Sequence, residues 1–138
     1  MSGNQEIRMQ SIGISGDQER FVAGFEKLWV WQKAYKLMLK MHQLSKKIPA
    51  KERFKLIDQT ERCSSSVCDN IAEGYTAYYY NEKIKGFLIA RKEAGETQNQ
   101  IRKLSGKGYL DPNQSQTWVE EYEEVIRGIN GYTRYIRQ

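Results

Sequence analysis

Apolar residues return at alternating spacings of four and three along most of this chain. Val30, Ala34, Leu37, Met41, Leu44 and Ile48 keep that rhythm in one stretch. Phe87, Ala90, Ala94, Thr97, Ile101, Leu104 and Gly108 keep it in another, and Trp118, Tyr122, Val125, Ile129, Tyr132 and Ile136 in a third. This is the a/d pattern of helices that pack at a shallow left-handed angle. A fourth stretch, about residues 52–74, has a stripe of smaller side chains: Ile57, Thr60, Ser64, Val67, Ile71 and Gly74. Its middle, Cys63-Ser64-Ser65-Ser66-Val67-Cys68, is poor in helix propensity, so this helix must draw its stability from packing, and its small residues let a neighbour come close. No segment alternates with the period of two that a strand needs.

The two prolines, Pro49 and Pro112, fall between periodic segments and punctuate the chain. Helix stops are expected at Gly74 and at Gly106 and Gly108, and Asp111-Pro112 supplies a cap and first turn for the last helix. The connections are short, which predicts antiparallel neighbours: an all-α, up-down-up-down, left-handed four-helix bundle over residues 25–138. Residues 1–24 read as a polar, flexible N-terminal arm; docking on a partner subunit through Ile7, Ile12, Ile14 and Phe21 is the alternative.

Composition narrows the function classes. The 138 residues suit one domain, 39% hydrophobic and 28% charged, with no run of the roughly 20 apolar residues a membrane span requires and no secretory h-region near Met1. A cytoplasmic protein is expected. Cys63 and Cys68, the two cysteines, point about 140° apart on one helix and cannot readily bridge or chelate together. The net charge of +5 suits an anionic partner without proving one.

Chemistry-bearing residues are sparse. Glu93 and Glu96 have half of the spacing of a two-metal carboxylate bundle, but no histidine follows at the required step; His42, the single histidine, lies on another helix. Ser64, Ser65 and Ser66 lack a glycine elbow and a base, and glycine-rich phosphate loops are absent. No catalytic residue, metal or cofactor is expected. Gln59, Arg62, Ser66, Asp69 and Glu73 fall within about 60° of one another on the second helix. With Asn70 they predict a polar seam, facing Glu96 or Arg91, in which Asn70 and Glu73 are buried and hydrogen-bonded. Trp31, Tyr35 and Met38 form a second apolar stripe on the first helix, outside the one led by Val30, and predict an oligomer interface.

Two ends of such a bundle stand out. At one, Lys46, Lys47, Lys51, Arg53 and Lys55 meet Arg102, Lys103 and Lys107, with Glu52 and Asp111 as the chief nearby acids. This is either a solvated rim or a phosphate-binding surface. At the other, Tyr75, Tyr78, Tyr79 and Tyr80 precede Lys83 and Lys85, a group that suits a protein interface or stacking on unpaired bases.

Several ordered segments carry a resemblance. They are Phe25-Glu26-Lys27-Leu28-Trp29-Val30-Trp31-Gln32-Lys33-Ala34, Ile48-Pro49 with Glu52-Arg53-Phe54-Lys55-Leu56, and Ser66-Val67-Cys68-Asp69-Asn70-Ile71-Ala72-Glu73-Gly74. Ile89-Ala90-Arg91-Lys92-Glu93-Ala94-Gly95-Glu96-Thr97 and Gly108-Tyr109-Leu110 follow. Over about residues 25–136 the chain resembles the four-helix-bundle proteins encoded in intervening sequences of bacterial 23S rRNA genes. It is also similar to the accessory variability protein of diversity-generating retroelements. Many members of the first family have proline where Cys68 stands here. The resemblance implies a homopentameric ring with a role near RNA and no established catalysis. Together these features give the expected function, a non-enzymatic ring that binds RNA or DNA through basic surfaces. The alternative is an adaptor oligomer that binds another protein, such as a reverse transcriptase.

Overall fold

The computed structural model of the chain describes residues 20–138. The described residues form four long helices: α1 (Trp29–Ser45), α2 (Asp58–Thr76), α3 (Tyr80–Gly106) and α4 (Pro112–Arg137). A 3₁₀ turn, Gly24–Lys27, precedes α1, and a 3₁₀ turn (Ala50–Glu52) followed by a π turn (Arg53–Ile57) leads into α2. Contacts fix the helix directions. Gly74 lies beside Gly86 while Cys63 meets Thr97, so α2 and α3 are antiparallel. Lys33 reaches Glu124 and Lys40 reaches Glu121, so α1 and α4 are too. No helix among the described residues is long and apolar enough to cross a membrane.

The predicted stripes line the interior. Ala34, Met41, Val67, Ile71, Phe87, Ala90, Ala94, Ile101, Tyr122, Val125 and Ile129 are all inaccessible to solvent. A second, smaller cluster of Ile48, Leu56, Ile57 and Leu104, with Leu44, Tyr109 and Leu110 against it, closes one end. It ties the end of α1, the start of α2 and the end of α3 together. Both cysteines are free and buried, and burial pushes the Cys68 thiol up to about 12. With Cys68 in place of proline, α2 runs unbroken through that position.

Helix ends follow from local chemistry. The Asp111 side chain accepts hydrogen bonds from the backbone N–H groups of Asn113 and Gln114, and Pro112 occupies the first turn, where no donor is needed. At the end of α3 the Tyr109 N–H bonds the Leu104 carbonyl and the Gly108 N–H bonds that of Ser105. This is a Schellman turn, and Gly108 takes the left-handed conformation it needs (φ 83°). Gly108 therefore belongs to the stop and not to the interior stripe of α3.

Gly74 departs from expectation. α2 does not stop there but continues to Thr76. A Cβ on Gly74 would lie 3.1 Å from the Lys83 carbonyl oxygen and 3.1 Å from the Phe87 ring, and one on Gly86 would lie 2.7 Å from the Gly74 Cα. The glycine serves a close helix approach instead of a helix end.

The first helix also differs. Trp31 is 9% exposed and belongs to the core that holds Val30 and Leu37, with Tyr35 and Met38 packed against it. Phe25 of the preceding 3₁₀ turn meets Trp31 edge-on at 5.1 Å, and Tyr35 stacks on it at 4.8 Å. That cover buries Trp31, while Tyr35 and Met38 stay partly exposed at the edge of the core. The described part of the expected arm is tied down: Glu26 accepts hydrogen bonds from the Ala23 N–H (2.9 Å) and from Arg20 (3.0 Å). Phe21 stays exposed, and Ile7, Ile12 and Ile14 lie outside the described residues.

Candidate nucleic-acid interface

The antiparallel order puts the end of α1, the start of α2, the end of α3 and the start of α4 at one end of the bundle. Lys46, Lys47, Lys51, Arg53, Lys55, Arg102, Lys103 and Lys107 gather there, all exposed. They are not equivalent. Lys107 donates to Glu52 Oε2 at 2.9 Å, and the Tyr109 hydroxyl donates to the same oxygen at 2.9 Å. These hydrogen bonds, from Lys107 and then Tyr109, hold the Glu52 carboxyl below its ordinary range although the residue is only 6% exposed, and Glu52 in turn raises Lys107 and Tyr109. Arg102 donates to Gln116 at 2.9 Å. No ion pair among the described residues engages the other six cations.

Three of the four acids of α4 are engaged along the flank, whereas Glu120 accepts from the Gln116 amide, which itself accepts from Arg102, and so stands on the Arg102 side of this end. Glu121 lies 3.9 Å from both Lys33 and Lys40, Glu124 lies 3.5 Å from Lys33, and Glu123 lies 4.0 Å from Arg127.

Between the π turn and the last turns of α3 runs a groove of about 490 Å³. Gln100, Lys103 and Lys107 face it from α3, at spacings of three and four that share one helix side. Lys55, Leu56 and Gln59 face it from the other wall, and Glu52 and Phe54 flank it. Gln100 is 6% exposed and its Oε1 has no hydrogen-bond partner among the described residues, whereas Phe54 is 87% exposed. Sequence reasoning named the lysines but missed these two. The available signals were a phenylalanine inside the charged run Lys51-Glu52-Arg53-Phe54-Lys55, and a glutamine beside the stripe of Thr97, Ile101 and Leu104.

The opposite end is aromatic. Tyr78 is 86% exposed, with Tyr79, Tyr80, Trp29 and Tyr135 also exposed. Tyr78 and Tyr79 meet edge to face at 5.1 Å. Lys83 is not free for phosphate: its ammonium donates to the Tyr75 carbonyl at 2.8 Å, capping the last turn of α2. Lys85 lies apart from the tyrosines, in a shallow groove of about 290 Å³ with Asn70, Glu73, Glu82 and Gly86.

The expected polar seam is largely solvated. Gln59, Arg62, Asp69 and Glu73 are exposed, because their stripe lies on the edge of α2 that no helix among the described residues covers. Arg62 does face Glu96, at 3.9 Å and well exposed, and lies 3.4 Å from Gln59. Half-buried Asn70 spends its amide on its own helix, donating to the Ser66 carbonyl (2.9 Å) and hydroxyl (3.0 Å). Glu73 is therefore neither buried nor part of a network. Glu93 has a buried, unpartnered Oε1, and burial and then neighbouring Glu96 raise its carboxyl. His42 meets the Ser65 hydroxyl at 3.1 Å. Among the described residues no three His, Cys, Asp or Glu side chains gather as a metal site.

The family model described as 23S rRNA-intervening sequence protein matches residues 26–131. A solved structure with the same fold is a protein of unknown function from the S23 ribosomal protein family of Bacteroides thetaiotaomicron. It shares 23% identity at a TM-score of 0.70, covering 76% of this chain and 95% of that one. No curated protein matches significantly.

Proposed function

The chain belongs to the family of 23S rRNA-intervening sequence proteins, and on that footing we propose that it is a non-enzymatic bundle, assembling as a ring-shaped homo-oligomer, that binds RNA or DNA through its basic end. One observation carries this reading. Lys46, Lys47, Lys51, Arg53, Lys55 and Lys103 crowd one end, exposed and unpaired among the described residues, while Glu121, Glu123 and Glu124 of α4 are committed elsewhere. Cations that lack protein partners are the ones that release counterions from a phosphate backbone, and a ring would repeat the patch in every subunit. No helix among the described residues presents a set of side chains arranged to read a groove, so binding is expected to ignore duplex sequence.

The test is affinity for an rRNA fragment and for duplex DNA across a salt series. Changing Lys46, Lys47, Lys51 and Arg53 together to Gln should weaken binding to every sequence and reduce the log–log salt slope by up to roughly three to four. Unchanged affinity would move the contact to Tyr78, Tyr79, Tyr80 and Lys85. Absence of wild-type binding near physiological salt would favour a second reading, an adaptor oligomer for a protein partner, which the exposed aromatic end supports.

A further inference from the structure

The groove beside Lys103 has features that a plain basic rim does not need. It is concave and of a size usual for small-ligand sites. Gln100 lies within it, more than nine-tenths buried, with an amide oxygen that no described residue bonds. A buried amide left so destabilises the fold; its oxygen is covered as it stands, and a turn of the side chain that lets an entering group bond it would relieve that cost. Phe54, at the edge of the same groove, holds its ring in water on a π turn, a distortion frequent at functional sites. Lys55, Lys103 and Lys107 bring three ammonium groups against the one carboxylate of Glu52, which Lys107 and Tyr109 already bond.

An aromatic face, a buried amide and nearby ammonium groups match the three parts of a nucleotide. A base stacks on aromatic rings whatever its identity, an amide offers one donor and one acceptor to a base edge, and ammonium groups hold phosphates. We infer that this groove takes one unpaired nucleotide of a single strand, its base stacked on Phe54 and bonded by the Gln100 amide, with the flanking phosphates on Lys55 and Lys103. This rests on the nucleic-acid reading above and sharpens it. A paired base cannot enter, so the groove separates single strands from duplex, whereas Lys46, Lys47 and Lys51 serve both. Glu52 keeps phosphate away from the Lys107 side and so sets the direction in which the nucleotide lies.

The test uses the full chain and a fluorescent single strand of about twelve nucleotides, within the usual site size, alongside the same sequence as duplex. Phe54→Ala removes an exposed ring and should leave the fold intact by circular dichroism. Single-strand affinity should fall roughly five- to a hundredfold, the worth of one stacked base, with the salt slope and duplex affinity unchanged. Phe54→Tyr should restore it. Gln100→Leu, checked for folding in the same way, should erase differences in affinity among homopolymers of the four bases. Wild-type single-strand affinity in Phe54→Ala, or an equal loss for duplex, would overturn the groove while leaving salt-dependent binding at the basic end intact. No binding of either form by the wild type at low salt would remove both.

Discussion

Gly86 presses its Cα side directly onto Gly74: a Cβ on Gly86 would sit 2.7 Å from the Gly74 Cα and 3.0 Å from its backbone nitrogen. Backbone cannot give way as a side-chain tip can, so this contact sets how closely α2 and α3 pack. Gly86→Ala should therefore destabilise the protein by at least about 1–3 kcal/mol, the usual cost of overpacking. Gly95 lies in the same helix with nothing within 4 Å of its would-be Cβ. Gly95→Ala should stabilise by about 0.4–1 kcal/mol by restricting the unfolded chain. Urea unfolding of both variants checks the pair, and equal effects would show that α2 and α3 can separate freely at this point.

Glu52 gives the basic end its own pH dependence. Its carboxyl lies below the ordinary value, chiefly through hydrogen bonds from Lys107 and Tyr109. A depressed carboxylate contributes stability that is present above the unfolded value of about 4.3 and is lost as pH falls through the folded value beneath it. Unfolding midpoints should fall below about pH 4.3 for the wild type, and less steeply for Glu52→Gln. Lys107 behaves oppositely: its raised value keeps its contribution below about pH 10.4 and loses it as pH climbs higher. Parallel acid profiles for the wild type and Glu52→Gln would show the pair to be unimportant.

Tyr122 is wholly buried in the core, its hydroxyl has no hydrogen-bond partner among the described residues, and burial raises its pKa well above the usual phenol value. Tyr122→Phe keeps the ring and removes the orphaned hydroxyl. Thermal unfolding should show a variant at least as stable as the wild type, with a gain of up to about 1–3 kcal/mol. A loss above about 1 kcal/mol would mean that the hydroxyl has a partner in solution.

Glu73 stands in the most distinctive stretch of the sequence, yet it is exposed and its side chain makes no hydrogen bond among the described residues. Glu73→Ala should change stability by no more than about 0.5 kcal/mol. A larger loss in equilibrium unfolding would reveal a burial that one subunit does not provide.

Helix positions were readable from the sequence because burial of one face imposes a period, and Val30, Val67, Phe87 and Tyr122 could satisfy it in only one way. What one helix does to the next was not. Gly74 resembles a helix stop until the partner position, Gly86, is known, and Trp31 resembles surplus surface until Phe25 folds back over it. Glu73 failed for the same reason: an angular stripe on one helix does not say whether another helix covers it. At the candidate site the lysines were legible because charge needs no partner to be noticed. Gln100 and Phe54 matter through how far each departs from the burial expected of its type, and burial depends on distant chain.

The two ends of the bundle are also independent in an electrical sense. A helix as long as α3, 27 residues, spans about 40 Å at about 1.5 Å per residue, several times the screening length of about 8 Å at physiological salt. A polyanion seated on Lys46 and Lys103 is therefore invisible, as charge, to Tyr78 and Tyr79. The tyrosine end can meet a second molecule while the lysine end is occupied, and any influence of one on the other must travel as mechanical displacement along the helices, with Gly74 and Gly86 as a tight backbone-to-backbone joint on the way.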